Sequence, residues 1–261
     1  MLKNLWLYRG FITGSVRREF QLKYRNSILG AAWTVIQPLS MIIVYTVIFS
    51  QIMQAKLPGI ENVFGYSIYL CAGIITWGLF AEIVNRSQTV FIENGNLLKK
   101  LSFPRLCLPV ILTFNALLNF LIIFALFLIF LIVTGSFQGW VMLAIVPVLI
   151  LQVMFAVGLG MVIGVLNVFF RDVGQLFSVI LQFWFWLTPI IYPIDILPAT
   201  IQPLMQYNPM YPIMAAHQTV MVHGVLPDWP TLLPILILAA MLCIWGLRLF
   251  RKHSGDMVDE L

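Results

Sequence analysis

The ionisable residues of this sequence are few, and their placement limits the chemistry they can do. Glu82 is the one acid well inside a long apolar run, and Arg86 follows it four residues later. A carboxylate and a guanidinium at i and i+4 sit one above the other on a helix and form an ion pair. Inside a membrane helix such a pair is a structural brace or part of a pathway, and the spacing is compatible with both. His217, His223 and His253 have no ligand cluster around them, and Cys71, Cys107 and Cys243 form no CxxC pair. No metal-ligand spacing results, and the three thiols are expected as small apolar core residues. The sequence holds no HExxH, no GxSxG and no GxxxxGK[ST], so the usual hydrolytic constellations and the phosphate-cradling loop lack their residues. One intramembrane acid is also little material for a proton or sodium relay. If the chain serves an energy-driven process, the energy enters from another polypeptide.

The elements that must position these residues follow from composition. Of 261 residues, 61% are apolar and 10% charged, against about 45–50% and about 25% in a soluble domain. A soluble enzyme, a disordered tail and a nucleic-acid module are excluded. A β-barrel is disfavoured because the apolar runs are continuous rather than alternating over about ten residues. The remaining class is an all-α polytopic membrane protein. Its apolar runs are Ile28–Met53, Phe64–Ile92, Leu106–Val133, Trp140–Phe170, Val173–Ile191 and Leu232–Phe250. Each is long enough to cross a hydrocarbon core of about 30 Å at about 1.5 Å per residue.

The basic residues divide sharply between the connections. Lys3, Arg9, Arg17, Arg18, Lys23 and Arg25 precede span 1, Lys99, Lys100 and Arg105 follow span 2, Arg171 follows span 4, and Arg248, Arg251 and Lys252 follow span 6. The alternate loops hold only Lys56, a tally of thirteen against one. Because Lys and Arg concentrate in cytoplasmic loops, six spans with both termini in the cytoplasm is the consistent solution. The first apolar run far exceeds a signal-peptide core of about 7–15 residues, so span 1 is expected to remain attached.

Three stretches are not plain spans. Residues 1–27 precede span 1, and there Leu5, Tyr8, Ile12, Val16 and Phe20 share one helical face while Arg17, Arg18 and Gln21 point largely away. This suits a basic anchor that fixes topology, and equally an interfacial helix that also touches a cytoplasmic partner. Residues 94–103 contain Asn94 or Asn96 as a cap and an apolar face of Leu97, Leu98 and Leu101, with Pro104 discouraging continuation. A two-turn amphipathic helix of this kind packs on the membrane or in a groove of another protein, and spacing alone favours the membrane. Residues 188–230 carry eight of the fourteen prolines yet stay rich in Ile, Leu, Met and Tyr. No continuous helix is possible there, and two short helices dipping into the outer leaflet, or an outer cap on a packed bundle, would satisfy the backbone. Just before it, Phe183-Trp184-Phe185-Trp186 surrounds a helix on all sides, with Tyr192, Tyr207 and Tyr211 beyond. Some of these rings must face inward, although an interfacial belt is the ordinary role of any one of them.

Taken together, four blocks resemble the membrane subunits of ABC-2 type exporters, in their polysaccharide branch of O-antigen, capsule and teichoic acid permeases. They are Arg17 to Arg25 running through Leu29-Gly30-Ala31-Ala32-Trp33 to Gln37-Pro38, then Leu97 to Arg105, then Phe170-Arg171-Asp172-Val173, and finally Thr188 to Pro193 with Asn208-Pro209-Met210. They stand in the family order and spread over nearly the whole chain. The resemblance implies a six-span domain over 28–261, working as a homodimer in the bacterial inner membrane. Two copies of a separate P-loop subunit would bind it and would hold the ATP and magnesium, leaving this chain without a cofactor. Residues 1–27, with Arg17, Arg18, Lys23 and Arg25, would form a cytoplasmic interface helix. Asn96, Leu97, Leu98, Lys99, Lys100, Leu101 and Phe103 would form the coupling helix that docks on the ATPase. The 188–230 stretch would be the gate, with Phe183, Trp184, Phe185, Trp186, Tyr192, Tyr207 and Tyr211 along the cargo pathway. The cargo would be a polysaccharide on a lipid carrier, with membrane lipids around the permease and no nucleic acid. A small-molecule or drug exporter of the same class is the rival reading, ahead of a secondary transporter or a membrane scaffold.

Overall fold

A computed structural model describes residues 8–23, 30–52, 63–100 and 105–260 of the chain. Among these residues every regular element is helical. Helix α1 is Arg9–Lys23. Helix α2, Trp33–Thr46, continues into a π-helical turn at Val47–Ile52. Then come α3 (Gly65–Glu93), the short α4 (Gly95–Lys100), α5 (Cys107–Val133) and α6 (Ile145–Phe169), the last preceded by a 3-10 segment at Gly139–Ala144. Helix α7 is Asp172–Leu187, α8 is Met210–Gln218, α9 is Trp229–His253 and α10 is Asp256–Glu260.

Among the described residues, five helical segments are long and apolar enough to cross a membrane: Trp33–Ser50, α3, α5, Gly139–Phe169 and α9. The sequence-predicted fifth span, Val173–Ile191, is the 16-residue α7. It ends at Leu187, where Thr188 is extended (φ −105°, ψ 133°), the conformation favoured before a proline because the ring crowds the helical one.

Helix α3 is the buried post of the bundle, with Phe80, Ile83 and Val84 without exposed surface. The contacts around it set the direction of every neighbour. Gln152 Nε2 donates to the Thr76 carbonyl at 2.7 Å and Asn167 Nδ2 to the Gln88 carbonyl at 2.8 Å, so α6 runs parallel to α3. Helix α9 runs parallel to α6, with Gly158 against Cys243 and the rings of Phe169 and His253 5.5 Å apart. Helix α5 is antiparallel to α3, with the Phe64 and Phe130 rings 6.3 Å apart at one end and Asn119 donating to Glu82 at 2.9 Å nearer the other. Helix α2 is also antiparallel, with Phe49 5.2 Å from Tyr66, and Trp33 in the same cavity wall as Glu82.

Helix α7 returns across the bundle. Ser178 Oγ donates to Gln88 Oε1 at 3.1 Å, the Trp184 and Trp77 rings lie 6.2 Å apart, and Tyr69 donates to the Pro189 carbonyl at 3.1 Å. With these directions, Lys99, Arg105, Arg171, Arg248, Arg251 and Lys252 fall at one end of the bundle. We call it the basic end.

Close approach between α3 and α6 rests on glycine. A Cβ on Gly160 would stand 2.5 Å from Ser87 Oγ, and one on Gly164 would fall on the Ser87 carbonyl oxygen. The Gly160–Gly164 pair therefore packs within the chain, as small residues do where membrane helices lack a hydrophobic driving force.

Beyond α7 the proline-rich stretch divides into a 3-10 turn at Ile194–Ile196, a 3-10 helix at Gln202–Tyr207, α8, and a π-helical turn at Thr219–His223. Met210, Ile213, Met214 and His217 of α8 are fully buried. This helix is wedged into the bundle end opposite the basic one and packs on α3 and α6.

Candidate functional site

The Glu82–Arg86 pair is real, but it is part of something larger. The two side chains lie 3.8 Å apart. The same guanidinium also bonds Glu19 of α1. The second Glu19 oxygen accepts from Asn115 Nδ2 at 2.5 Å, and Glu82 Oε2 accepts from Asn119 Nδ2. Charge-assisted bonds of this kind are stronger than neutral ones. Three residues of the cluster, Glu19, Asn115 and Asn119, carried no functional expectation from the sequence. A signal was present, because Asn115 and Asn119 are amides one turn apart in an apolar span, where polar side chains need partners.

Helix α1 turns its apolar side to protein. Ile12 is buried with Cys107 and Ile111 of α5, flanked by Tyr8, Phe11 and Val16. Arg17 and Arg18 are exposed. Arg25 and Leu5 lie outside the described residues, as does the side chain of Lys23.

Helix α4 starts where α3 ends, with the Asn94 carbonyl accepting from the Leu97 and Leu98 amides at 3.0 and 2.9 Å. Leu98 is 5% exposed and belongs to the main core, and Leu97 packs partly against it. The C-terminal helix α10 lies against α4 and α6. The face left open holds Asn96 and Lys99. The side chain of Lys100, and Leu101 and Phe103 entirely, lie outside the described residues. Among the described residues the leucines of α4 are engaged in their own chain, and the face it leaves exposed is polar.

The aromatic run splits by helical phase. Trp184 is wedged among Trp77, Phe80 and Phe155, and Phe185 stands against Trp77. Phe183 and Trp186 point out of the chain. Trp184 Nε1 donates to Asn208 Oδ1 at 2.7 Å, and Asn208 Nδ2 donates to Thr188 Oγ1 at 2.9 Å, so two distant sequence blocks meet here. Tyr192 donates to the Trp186 carbonyl at 2.7 Å. Tyr211 lines a cavity of about 200 Å³ with Tyr69, Asp195 and His223. Burial, and secondarily the Asp195 carboxylate, lift the Tyr211 phenol above its ordinary value, so it stays a neutral donor. Tyr207 is exposed and apart from these contacts.

Two exposed faces carry amides and tryptophans among apolar side chains, Ile36 and Val44 on α2 and Val179 and Phe183 on α7. Trp33, Gln37 and Ser40 share one exposed face of α2, and Gln175, Gln182 and Trp186 share one exposed face of α7. An amide turned to lipid leaves its hydrogen bonds unmade at a cost of about 2 kcal/mol or more. Such faces suit a protein partner or a hydrated passage.

Comparison with known proteins places the chain. Residues 12–222 match the ABC-2 type transporter family. The O-antigen export system permease protein RfbA of Myxococcus xanthus is 28% identical over 267 residues, covering 100% of this chain and 99% of that protein. The protein of the same name from Klebsiella pneumoniae is 28% identical over 262 residues, covering 100% of this chain and 98% of its own. The chain belongs to the ABC-2 type transporter family, as a multi-pass membrane protein.

Proposed function

We propose that this chain is the transmembrane subunit of an ATP-driven exporter that moves a lipid-linked, O-antigen-like polysaccharide across the bacterial inner membrane. The observation that carries the reading is the pair of amide-and-tryptophan faces on α2 and α7. Two copies meeting through these faces would enclose a passage lined by glutamine and indole. Amides hydrogen-bond to sugar hydroxyls, and indole rings stack on sugar faces. The export permeases to which the chain is similar over its full length support the cargo class.

In this reading α7 is a sixth crossing. Its 16 residues rise about 24 Å, and the contacts of α7 together with Pro189 just beyond its end run from the level of Gln88 to that of Tyr69 on α3. Six crossings bring both termini to the basic end, which faces the cytoplasm. There α1 lies at the membrane interface, and α4 meets a separate P-loop ATPase, two copies to the homodimer, on which ATP and magnesium reside. The gate is the 188–230 stretch.

The α4 assignment is tested by charge reversal. Lys99→Glu is expected to leave insertion unchanged and to lower co-purification of the ATPase by about tenfold. Leu98→Asp is expected to lower the amount of folded chain instead, because it places a charge in the core. Unchanged co-purification with Lys99→Glu would remove α4 from the docking surface.

The cargo assignment is tested in the cell. Disrupting the gene is expected to trap polymer on the cytoplasmic side. Normal surface polymer together with new sensitivity to a small toxic compound would favour the drug-exporter reading. Genes for sugar-nucleotide enzymes and glycosyltransferases beside this one would favour the polysaccharide.

A further inference from the structure

A cluster centred on one guanidinium joins three helices on the basic-end side of the bundle. Arg86 of α3 takes the Glu19 carboxylate of α1 and the Glu82 carboxylate of its own helix. Asn115 and Asn119, on successive turns of α5, each donate to one of those carboxylates. Arg86 stands nine residues before Gly95, the first residue of α4, or about 13 Å of helix.

Beside the cluster is a cavity of about 300 Å³, walled by Phe11 and Ser15 of α1, Val90 and Asn94 at the end of α3, Leu97 of α4 and Ile111 of α5. Arg18 and Glu93 also reach it. Helix α1 thus faces α4 across open space and is tied to α3 by the ion pair. The charges are unequal, two carboxylates to one guanidinium, so loss of Arg86 leaves two like charges side by side. An uncompensated pair of this kind is far less favourable than either a complete network or a neutral one.

We propose that Arg86 and Glu19 are positioning residues that make α1 a moving part of the transport cycle rather than a membrane anchor. Arg86 clamps α1 to α3. A displacement delivered at α4 therefore carries α3, α1 and, through the two asparagines, α5 as one body. The clamp itself rests on geometry alone, whereas the transmitted displacement rests on the ATP-driven reading given above.

The test uses the full permease with its ATPase in proteoliposomes. A cysteine at Ser15, on the cavity wall of α1, reports release of the helix through its reaction with a water-soluble maleimide. Glu19→Gln and Arg86→Gln are each expected to raise that reactivity about fivefold or more, the equivalent of losing one charge-assisted contact. Polymer exported per ATP hydrolysed is expected to fall about tenfold in Glu19→Gln, with complex yield and ATPase rate retained. The all-amide variant Glu19→Gln/Glu82→Gln/Arg86→Gln is expected to regain thiol protection that Arg86→Gln loses, because it leaves no unpaired charge. If Arg86→Gln does not fold, the comparison of Glu19→Gln with the all-amide variant decides. Unchanged thiol reactivity in Glu19→Gln would overturn the clamp. Raised reactivity with unchanged export per ATP would overturn the transmission. A wild-type complex without ATP-dependent export would remove the exporter reading and the transmission with it, while the thiol measurement still judges the clamp.

Discussion

Gly164→Ala is expected to abolish accumulation of the folded chain. The added methyl would fall on the carbonyl oxygen of Ser87 and stand 3.3 Å from the Phe91 ring. A carbonyl cannot swing aside as a side chain can, so α3 itself would have to move. It is held on its other sides by α5, α7 and α8. Overpacking a well-filled interior costs about 1–3 kcal/mol even where side chains can adjust, and here the top of that range or more is expected. Gly160→Ala is expected to be somewhat milder, because the added carbon meets the Ser87 side chain, Oγ at 2.5 Å and Cβ at 2.7 Å, rather than the Ser87 carbonyl, and of these the hydroxyl can rotate away. Gly78→Ala serves as the control, since nothing lies within 4 Å of its added carbon. Size-exclusion profiles and thermal melting of the detergent-solubilised variants check all three. A folded Gly164→Ala chain with wild-type melting would contradict the parallel α3–α6 packing.

The second large effect separates two neighbouring tryptophans. Trp184→Ala is expected to destabilise the chain by about 3–5 kcal/mol, the usual range for an aromatic lost from a core. It removes contacts with Trp77, Phe80 and Phe155 and leaves Asn208 without its indole donor. Trp186→Ala removes a ring that is 58% exposed, so folding and dimer yield are expected to remain near wild type. Its effect falls on passage, with export of long polymer reduced about tenfold by loss of a stacking surface. The check is melting temperature and exported chain length measured on the same two variants. Loss of folding in Trp186→Ala, or unchanged export, would return this residue to the interfacial belt.

These two tryptophans show where the sequence was legible and where it was not. Four consecutive aromatics on a helix must point in several directions, so an inward member was foreseeable. Which member it is depends on the phase of α7 against α3, and only tertiary contacts fix that phase. The long spans were legible because hydropathy reports lipid exposure and burial alike. Helix α3 runs over Gly65–Glu93 and α5 over Cys107–Val133, each within a residue or so of the apolar run that predicted it. Helix α7 was overestimated because Ile190 and Ile191 are apolar, while the proline at 189 governs the backbone. The leucines of α4 read as a free apolar face because sequence spacing does not reveal that Leu98 is already packed in its own chain. Glu19 was the least legible. Its partner Arg86 lies 67 residues away, and nothing local marks a surface-type glutamate on a basic helix as the partner of an arginine in a long apolar helix.

In the proposed function, ATP on a partner subunit drives a lipid-linked polysaccharide through a dimer of this chain. The direct measurement places the purified permease and its ATPase in proteoliposomes loaded with the lipid-linked polymer, and follows polymer reaching the opposite face. The expected result is transfer that requires hydrolysable ATP, is indifferent to proton or sodium gradients, and is lost when the ATPase is omitted. Transfer driven by an ion gradient without the ATPase, or ATP-dependent movement of a small molecule while the polymer stays in place, would contradict it.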